Sequence, residues 1–156
     1  MKKFLLLLAS HGLVLALGFA LGIYVLPILV APPAPTNEQA ALAVQPAAFR
    51  GQFHRDLKDS DLLHWGEGEV AVGRERIVLR GRLAPGPDYK LYLSPEFVET
   101  EAEFLRLKPQ MQYVGDVRTF ENFVVPVPAT VDVSQYKAVI VWCETFSQFI
   151  TAASYQ

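Results

Sequence analysis

The chemistry available to this chain centres on its only cysteine, Cys143. A thiolate can act as a redox group or a soft metal ligand, but its formation needs a nearby cation, a helix N-terminus or a metal. The sequence neighbours Trp142 and Glu144 supply none of these. A lone cysteine in an oxidising compartment has no disulfide partner within its own chain. Two interpretations stay open: a functional thiol, and a buried residue of the core.

Two histidines are the other candidates for a metal site. His54 and His64 could join Cys143 and offer two imidazole nitrogens and one sulfur, a set suited to copper or haem iron. Their spacing matches no ligand signature, and two solvent-exposed histidines explain the pattern as well. Covalent haem attachment through two cysteines is excluded by the single cysteine. The cofactor is therefore unknown, and the sequence requires none.

The residue types of a hydrolase are present, but their arrangement is not. Ser94, Ser134 and Ser147 lack a nucleophile elbow, and no glycine-rich phosphate loop joins a strand to a helix. An acidic group has no histidine or matching carboxylate at ligand spacing, so we expect a solvated surface; its members are Glu96, Glu99, Glu101 and Glu103. Whether the protein is an enzyme stays undecided, with a noncatalytic role favoured.

The element that carries Cys143 is predicted to be a central strand. Val139, Val141 and Cys143 share one face, while Ile140 and Trp142 share the other, because side chains alternate along a strand. Both faces are apolar, which is typical of a strand covered on both sides. We therefore expect Cys143 at or near the centre of the domain.

Seven further short runs rich in β-branched and aromatic residues predict an all-β domain. With the cysteine strand they give about eight strands separated by turns, which favours an antiparallel two-sheet β-sandwich. The other predicted strands are residues 49–53, 66–72, 75–81, 89–93, 112–118, 122–126 and 148–155. Residues 96–110 break the rhythm. A turn or two of helix fits this segment, but we interpret it as an insertion loop over the rim. Tyr89, Tyr92, Tyr113 and Phe123 either fill the core or line a ligand groove.

The N-terminus predicts a membrane anchor. An almost uncharged run from Phe4 to Val30 would form a helix of about 40 Å, enough to cross a hydrocarbon core of ~30 Å. Pro32 and Pro33 make a poor cleavage site, so we expect an uncleaved anchor over residues 1–30. The positive-inside rule, applied to Lys2 and Lys3, leaves the N-terminus in the cytoplasm and the remainder outside it. In a bacterium with two membranes, that is a single-pass inner-membrane protein with a periplasmic domain.

The remaining organisation is simple. Residues 31–48 are rich in proline and alanine and predict a semi-extended tether, in which residues 38–44 allow a helical turn. One domain follows over residues 49–156. The net charge of −2 and the interspersed signs give no indication of a nucleic-acid partner. The expected partners are the inner membrane, through residues 4–30, and another envelope protein.

Several stretches resemble the DM-thirteen domain family, described as a suspected electron-transfer domain. The most specific are Gly86-Pro87-Asp88 and Trp142-Cys143, and the others include residues 49–53, 91–94, 114–117, 125–126, 131–133 and 152–153. The resemblance implies a β-sandwich in which the single cysteine has a redox role. The segment 119–123 departs from the family's usual glycine- and asparagine-rich hairpin.

The sequence thus supports two hypotheses of different classes. One is a membrane-anchored extracytoplasmic module whose redox or electron-transfer role centres on Cys143. The alternative is a noncatalytic envelope module that binds a protein or a glycan and keeps the cysteine in its core. Whether the sulfur can be reached separates the two.

Overall fold

The structure is a computed structural model that describes residues 1–44 and 47–156. Pro46, one of the prolines of the predicted tether, lies outside the described residues. A long helix α1 (Lys2–Val30) and a short helix α2 (Asn37–Ala43) precede eight strands, and a third helix α3 (Glu101–Leu107) lies between the fourth and fifth strands.

The strands form two antiparallel four-stranded sheets, as the sequence predicted. The first sheet has the order β1-β2-β3-β6 and the second the order β5-β4-β7-β8. The members of the first sheet are β1 (Phe49–Phe53), β2 (Gly66–Val72), β3 (Arg76–Leu83) and β6 (Glu121–Pro126). Those of the second are β4 (Tyr89–Ser94), β5 (Gln112–Val117), β7 (Ala138–Cys143) and β8 (Gln148–Ser154).

Strand β7 has the central position that its two apolar faces predict. It pairs with β4 on one side and β8 on the other, and all six of its residues are buried. Val139, Val141 and Cys143 belong to the core between the two sheets, whereas Ile140 and Trp142 pack in a second cluster that contains α3. Because side chains alternate along the strand, β7 contributes residues to two separate hydrophobic cores.

Cys143 lies at the last position of β7 and pairs there with Tyr89, the first residue of β4. It is buried, but at one end of the sandwich, which corrects the expectation of a place at the domain centre. Four connections meet at this end, which we call the cysteine end: residues 54–65, 84–88, 118–120 and 144–147. The opposite, far end carries the hairpin of residues 73–75 and the connection 127–137.

Helix α3 corrects the interpretation of residues 96–110 as an insertion loop, because the turn or two of helix that the sequence allowed is present. Thr100 caps the helix by accepting a hydrogen bond from the backbone N–H of Glu103 at 3.2 Å. Phe104 and Leu107, three residues apart and therefore on one face, are buried. Phe104 stacks on Trp142 with 3.9 Å between ring centroids. The helix therefore covers the outer face of the second sheet.

Helix α1 confirms the predicted apolar helix at the N-terminus. It is long and apolar enough to cross a membrane, and no residue in it is buried. The chain therefore has one N-terminal helix suited to a single-pass anchor.

The segment after α1 contains the helical turn that the sequence allowed near residues 38–44, and it is less extended than a free tether. Helix α2 begins after Thr36, which forms a reciprocal capping box with Gln39. Ala40 and Val44 pack with Ala71 and Val78 on the outer face of the first sheet. The segment thus follows the surface of the sandwich instead of running free.

Candidate functional site

The thiol of Cys143 is held by one hydrogen bond. Its Sγ donates to the backbone carbonyl of Pro87 at 3.0 Å. The side chain has only 2 % of its surface exposed, and no disulfide is formed. In its resting state the sulfur is therefore a protonated, enclosed thiol.

The turn that receives this hydrogen bond is Gly86-Pro87-Asp88. A β-carbon on Gly86 would collide with the hydroxyl of Tyr89, so only glycine allows the close approach. Asp88 adopts a left-handed conformation with φ of 55°, which aspartate tolerates better than most residues. Its carbonyl accepts the backbone N–H of Glu144 at 3.1 Å. This backbone contact fixes the turn against the end of β7.

A lysine and a threonine complete the wall around this turn. Lys90 Nζ lies 2.7 Å from Asp88 Oδ1 and 2.8 Å from Asp116 Oδ1. Thr145 Oγ1 donates to Asp88 Oδ2 at 3.2 Å. Neighbouring strands and turns therefore hold the Asp88 carboxylate from both sides.

The electrostatics around Cys143 favour the protonated form. Burial raises the pKa of the Cys143 thiol, and the carboxylates of Asp88 and Glu144 raise it further. The backbone N–H groups of Phe146 and Thr145 act in the opposite direction, because they stabilise a thiolate. A cation or metal brought by a partner would be needed to shift the balance.

A cavity of about 470 Å³ lies beside the thiol at the cysteine end. Cys143, His64 and Phe146 all line it, together with Ile23 and Tyr24 of α1. His54 does not line this cavity and is exposed. Within residues 1–44 and 47–156, no three His, Cys, Asp or Glu side chains lie close enough to hold a metal ion. Two of the three candidate ligands, Cys143 and His64, thus line one cavity.

His64 faces a carboxylate instead of the sulfur. Its Nδ1 lies 2.9 Å from Asp61 Oδ2, and Asp61 Oδ1 accepts the backbone N–H of both Leu63 and His64. The side-chain hydrogen bond with His64 lowers the pKa of Asp61. These contacts hold the turn at residues 61–64 in one shape.

A polar cluster on the other side of β7 was not found from the sequence. Glu144 accepts a hydrogen bond from Lys108, with 2.7 Å between Nζ and Oε2, and another from the hydroxyl of Tyr92. Burial opposes the charged carboxylate, but these hydrogen bonds outweigh it and lower the pKa of Glu144. Burial, reinforced by Glu144, raises the pKa of Tyr92. Since Lys108 and Tyr92 are remote in sequence, only the presence of a charge beside Cys143 could have drawn attention to the cluster.

The acidic group predicted to be solvated forms ion pairs at the surface. Glu99 lies 2.9 Å from Lys58, and Glu96 lies 3.8 Å from Arg106. Glu103 Oε2 accepts the backbone N–H of Glu99 at 2.9 Å. The carboxylates therefore stabilise the start of α3 and the segment that leads into it.

The predicted aromatic residues divide between core and surface. Tyr89 and Phe123 fill the core between the sheets, and Tyr92 packs beneath α3. Tyr113 has 43 % of its surface exposed and donates its hydroxyl to Asp116 at 2.7 Å. These four residues thus do not line one common groove.

Three exposed apolar residues at the cysteine end were also missed: Leu62, Leu63 and Phe146. The available signal was the adjacent leucine pair in an otherwise polar segment, between Asp61 and His64. Such a pair in a loop indicates a contact surface, because nothing within the domain buries it.

Comparison with known proteins gives one match. The family model described as "Electron transfer DM13" matches residues 56–155. No curated protein and no solved structure matches.

Proposed function

Since this chain belongs to the DM13 electron-transfer family, we propose that it is a membrane-anchored electron-transfer module whose working group is the thiol of Cys143. The observation that carries the proposal is the contact between the two most specific parts of the family resemblance. Cys143 Sγ and the Pro87 carbonyl of the Gly-Pro-Asp turn are 3.0 Å apart, although they are remote in sequence.

The chemistry we propose is ligation of a metal in a partner's redox centre. In such a complex the Cys143 thiol would give up its proton to solvent, and its sulfur would hold the metal as a thiolate ligand. The sulfur keeps its oxidation state, so this step needs no further oxidant. A thiolate ligand supplies electron density to the metal and thereby tunes its reduction potential.

Several features of the site favour such a docked state. The backbone N–H groups of Thr145 and Phe146 stabilise negative charge on sulfur. The imidazole of His64 lines the same cavity and could act as a second ligand from this chain. His54 lies outside the cavity and has no role in this proposal.

We further propose that helix α1 is retained as a signal anchor in a bacterial inner membrane. The N-terminus would lie in the cytoplasm because Lys2 and Lys3 precede the apolar run. The domain would then be periplasmic and span residues 49–156. Strand β1 pairs along its whole length with β2, which supports a domain start before residue 56.

A second candidate function rests on the burial of the same thiol. Cys143 is almost fully enclosed, and burial raises its pKa, so it could be a residue of the core. The domain would then be a noncatalytic module that binds an envelope protein or a glycan through its surface. No metal chemistry at the sulfur is expected in that case.

The test compares the full chain with Cys143→Ala, both purified with the anchor from membranes. We would measure reaction with a thiol reagent in native buffer and in denaturant, and determine metal content on the same samples. Native labelling of the full chain, with no metal bound, is the expected result, because the purified protein lacks the partner that supplies the metal and its thiol is free. Labelling only after denaturation would favour the binding module.

A further inference from the structure

We propose that the cysteine end of the sandwich rests on the surface of the membrane that α1 crosses. In this arrangement Leu62, Leu63 and Phe146 insert at the boundary between headgroups and acyl chains. The inference rests on the retained anchor of the proposed function, but not on any reactivity of Cys143.

The path of the chain after the anchor is the first argument. The side-chain amide of Asn122 donates to the carbonyl of Pro35 at 3.0 Å and to Asn37 Oδ1 at 3.1 Å. Asn122 stands near the start of β6, at the cysteine end. The five steps from Val30 to Pro35 can span at most about 18 Å, at ~3.6 Å per residue. The cysteine end is therefore held close to the point where the anchor leaves the membrane.

The rest of the connection leads away from the membrane. Helix α2 packs on the outer face of the first sheet, and β1 begins at the far end, where Phe49 pairs with Val72. The connection thus runs along the sandwich from the cysteine end to the far end. It does not serve as a spacer that lifts the domain off the lipid surface.

The composition of the cysteine end is the second argument. Leu62 and Leu63 have 94 % and 55 % of their surface exposed, and Phe146 has 46 %. Asp61 Oδ1 accepts the backbone N–H of Leu63 at 2.7 Å and so fixes the turn that projects the leucines. Apolar side chains that project from a fixed turn suit the boundary region of a bilayer.

The position of α1 is the third argument, because the anchor itself lines cavities at this end. Ile23 and Tyr24 face the cavity of Cys143 and Phe146. Val30 lines a neighbouring cavity with Phe146. Tyrosine is enriched at the interface between membrane and water, which favours an outer boundary of the bilayer near Tyr24 and leaves the last turns of α1 beside the cysteine end.

The arrangement has a consequence for access to the sulfur. The cavity beside Cys143 faces the membrane plane, so a partner's redox centre would approach along the membrane surface. A partner that is itself anchored in the same membrane fits this geometry better than one that diffuses freely.

The test uses the full chain, with residues 1–30 verified by intact mass, in nanodiscs of phosphatidylcholine and phosphatidylglycerol. Three single-cysteine variants are made in a Cys143→Ala background: Leu62→Cys, Phe146→Cys and, as the control at the far end, Ala129→Cys. Each carries an environment-sensitive fluorophore. Quenching is measured with nitroxide-bearing lipids and with iodide in the aqueous phase.

We expect emission from positions 62 and 146 to be blue-shifted and quenched several-fold more by the lipid nitroxide than emission from position 129. Iodide should show the reverse order. Equal quenching at all three positions would overturn the proposal. So would a blue shift at 62 and 146 that ignores the lipid nitroxide but grows with protein loading, because it would indicate contact with a second copy. Since the background lacks the thiol, failure here leaves the role of Cys143 to its own test.

Discussion

The clamp between Asn122 and the segment after the anchor gives the sharpest structural prediction. Asn122 is buried, and its φ of 43° lies in the left-handed region. Its Oδ1 accepts the backbone N–H of Gly81 at 3.0 Å, while its Nδ2 donates to Pro35 and Asn37. One side chain thus joins the first sheet to the connection.

Replacing Asn122 with alanine removes all three hydrogen bonds. It also leaves in the left-handed region a residue that has a β-carbon but no polar side chain to stabilise this conformation. Each lost hydrogen bond costs about 0.5–1.5 kcal/mol, and the backbone conformation costs roughly 1–2 kcal/mol for a residue without a local polar side chain. Since these terms are not additive, we expect a loss of about 2–4 kcal/mol in the free energy of unfolding. Chemical denaturation of the full chain in detergent measures it.

Asn122→Asp is the matched variant, because aspartate tolerates the same φ and still accepts the N–H of Gly81 but cannot donate to Pro35. Hydrogen exchange should then rise only over α2, whereas Asn122→Ala should also release the N–H of Gly81. If neither variant changes exchange over α2, the clamp does not hold the connection, and the argument for a domain held near the membrane fails.

Three further predictions concern the elements around the site. Phe104→Ala should lower the free energy of unfolding by about 3–5 kcal/mol, because the ring is fully buried against Trp142. The control Phe97→Ala should change it little, because Phe97 is exposed. An equal effect of the two variants in urea denaturation would mean that α3 is not packed on the sheet. Hydrogen bonds from Lys90, Tyr113 and Arg118 lower the pKa of Asp116, so its stabilising contribution is complete above about pH 4, the usual range of the unfolded carboxyl, and is lost as the pH falls toward the folded pKa. Thermal melts of Asp116→Asn should therefore lose less stability on acidification than the wild type, and parallel curves would contradict this. Burial raises the pKa of Cys143. The alkylation rate of the native chain should therefore still increase above about pH 9, where the rate for the unfolded chain levels off. A plateau at the same pH in both states would show an unperturbed thiol.

The strands could be predicted from the sequence because their signal is local. Alternation in β7 gave the inward and outward faces, and Gly73 marked the hairpin, in which its N–H bonds to the carbonyl of Arg76. For α3 the sequence allowed a turn or two of helix but did not favour it, because seven residues offer only Phe104 and Leu107 as periodic positions. The helix packs on the second sheet through Phe104 and Trp142, a contact that no local pattern contains.

The sequence pointed to Cys143, His64 and the Gly86-Pro87-Asp88 turn, but not to the way in which the fold places them around one cavity. A single cysteine identifies itself, but its place at the end of β7 depends on the pairing of Cys143 with Tyr89 across the sheet. The carbonyl of Pro87 and the N–H groups of Thr145 and Phe146 are backbone atoms, which have no signature in the residue types. The clamp at Asn122 was missed for a similar reason, because its partner Pro35 contributes only a carbonyl.

The dependence of Cys143 labelling on denaturant tests the proposed function most directly. The full chain in nanodiscs would be labelled with a small thiol reagent over a series of urea concentrations below the unfolding transition. If Cys143 is reached through its cavity, the native rate should be nearly independent of urea, because no additional surface is exposed. A rate that rises with urea as steeply as global unfolding would show that the sulfur reacts only in the unfolded chain, and Cys143 would then be a residue of the core.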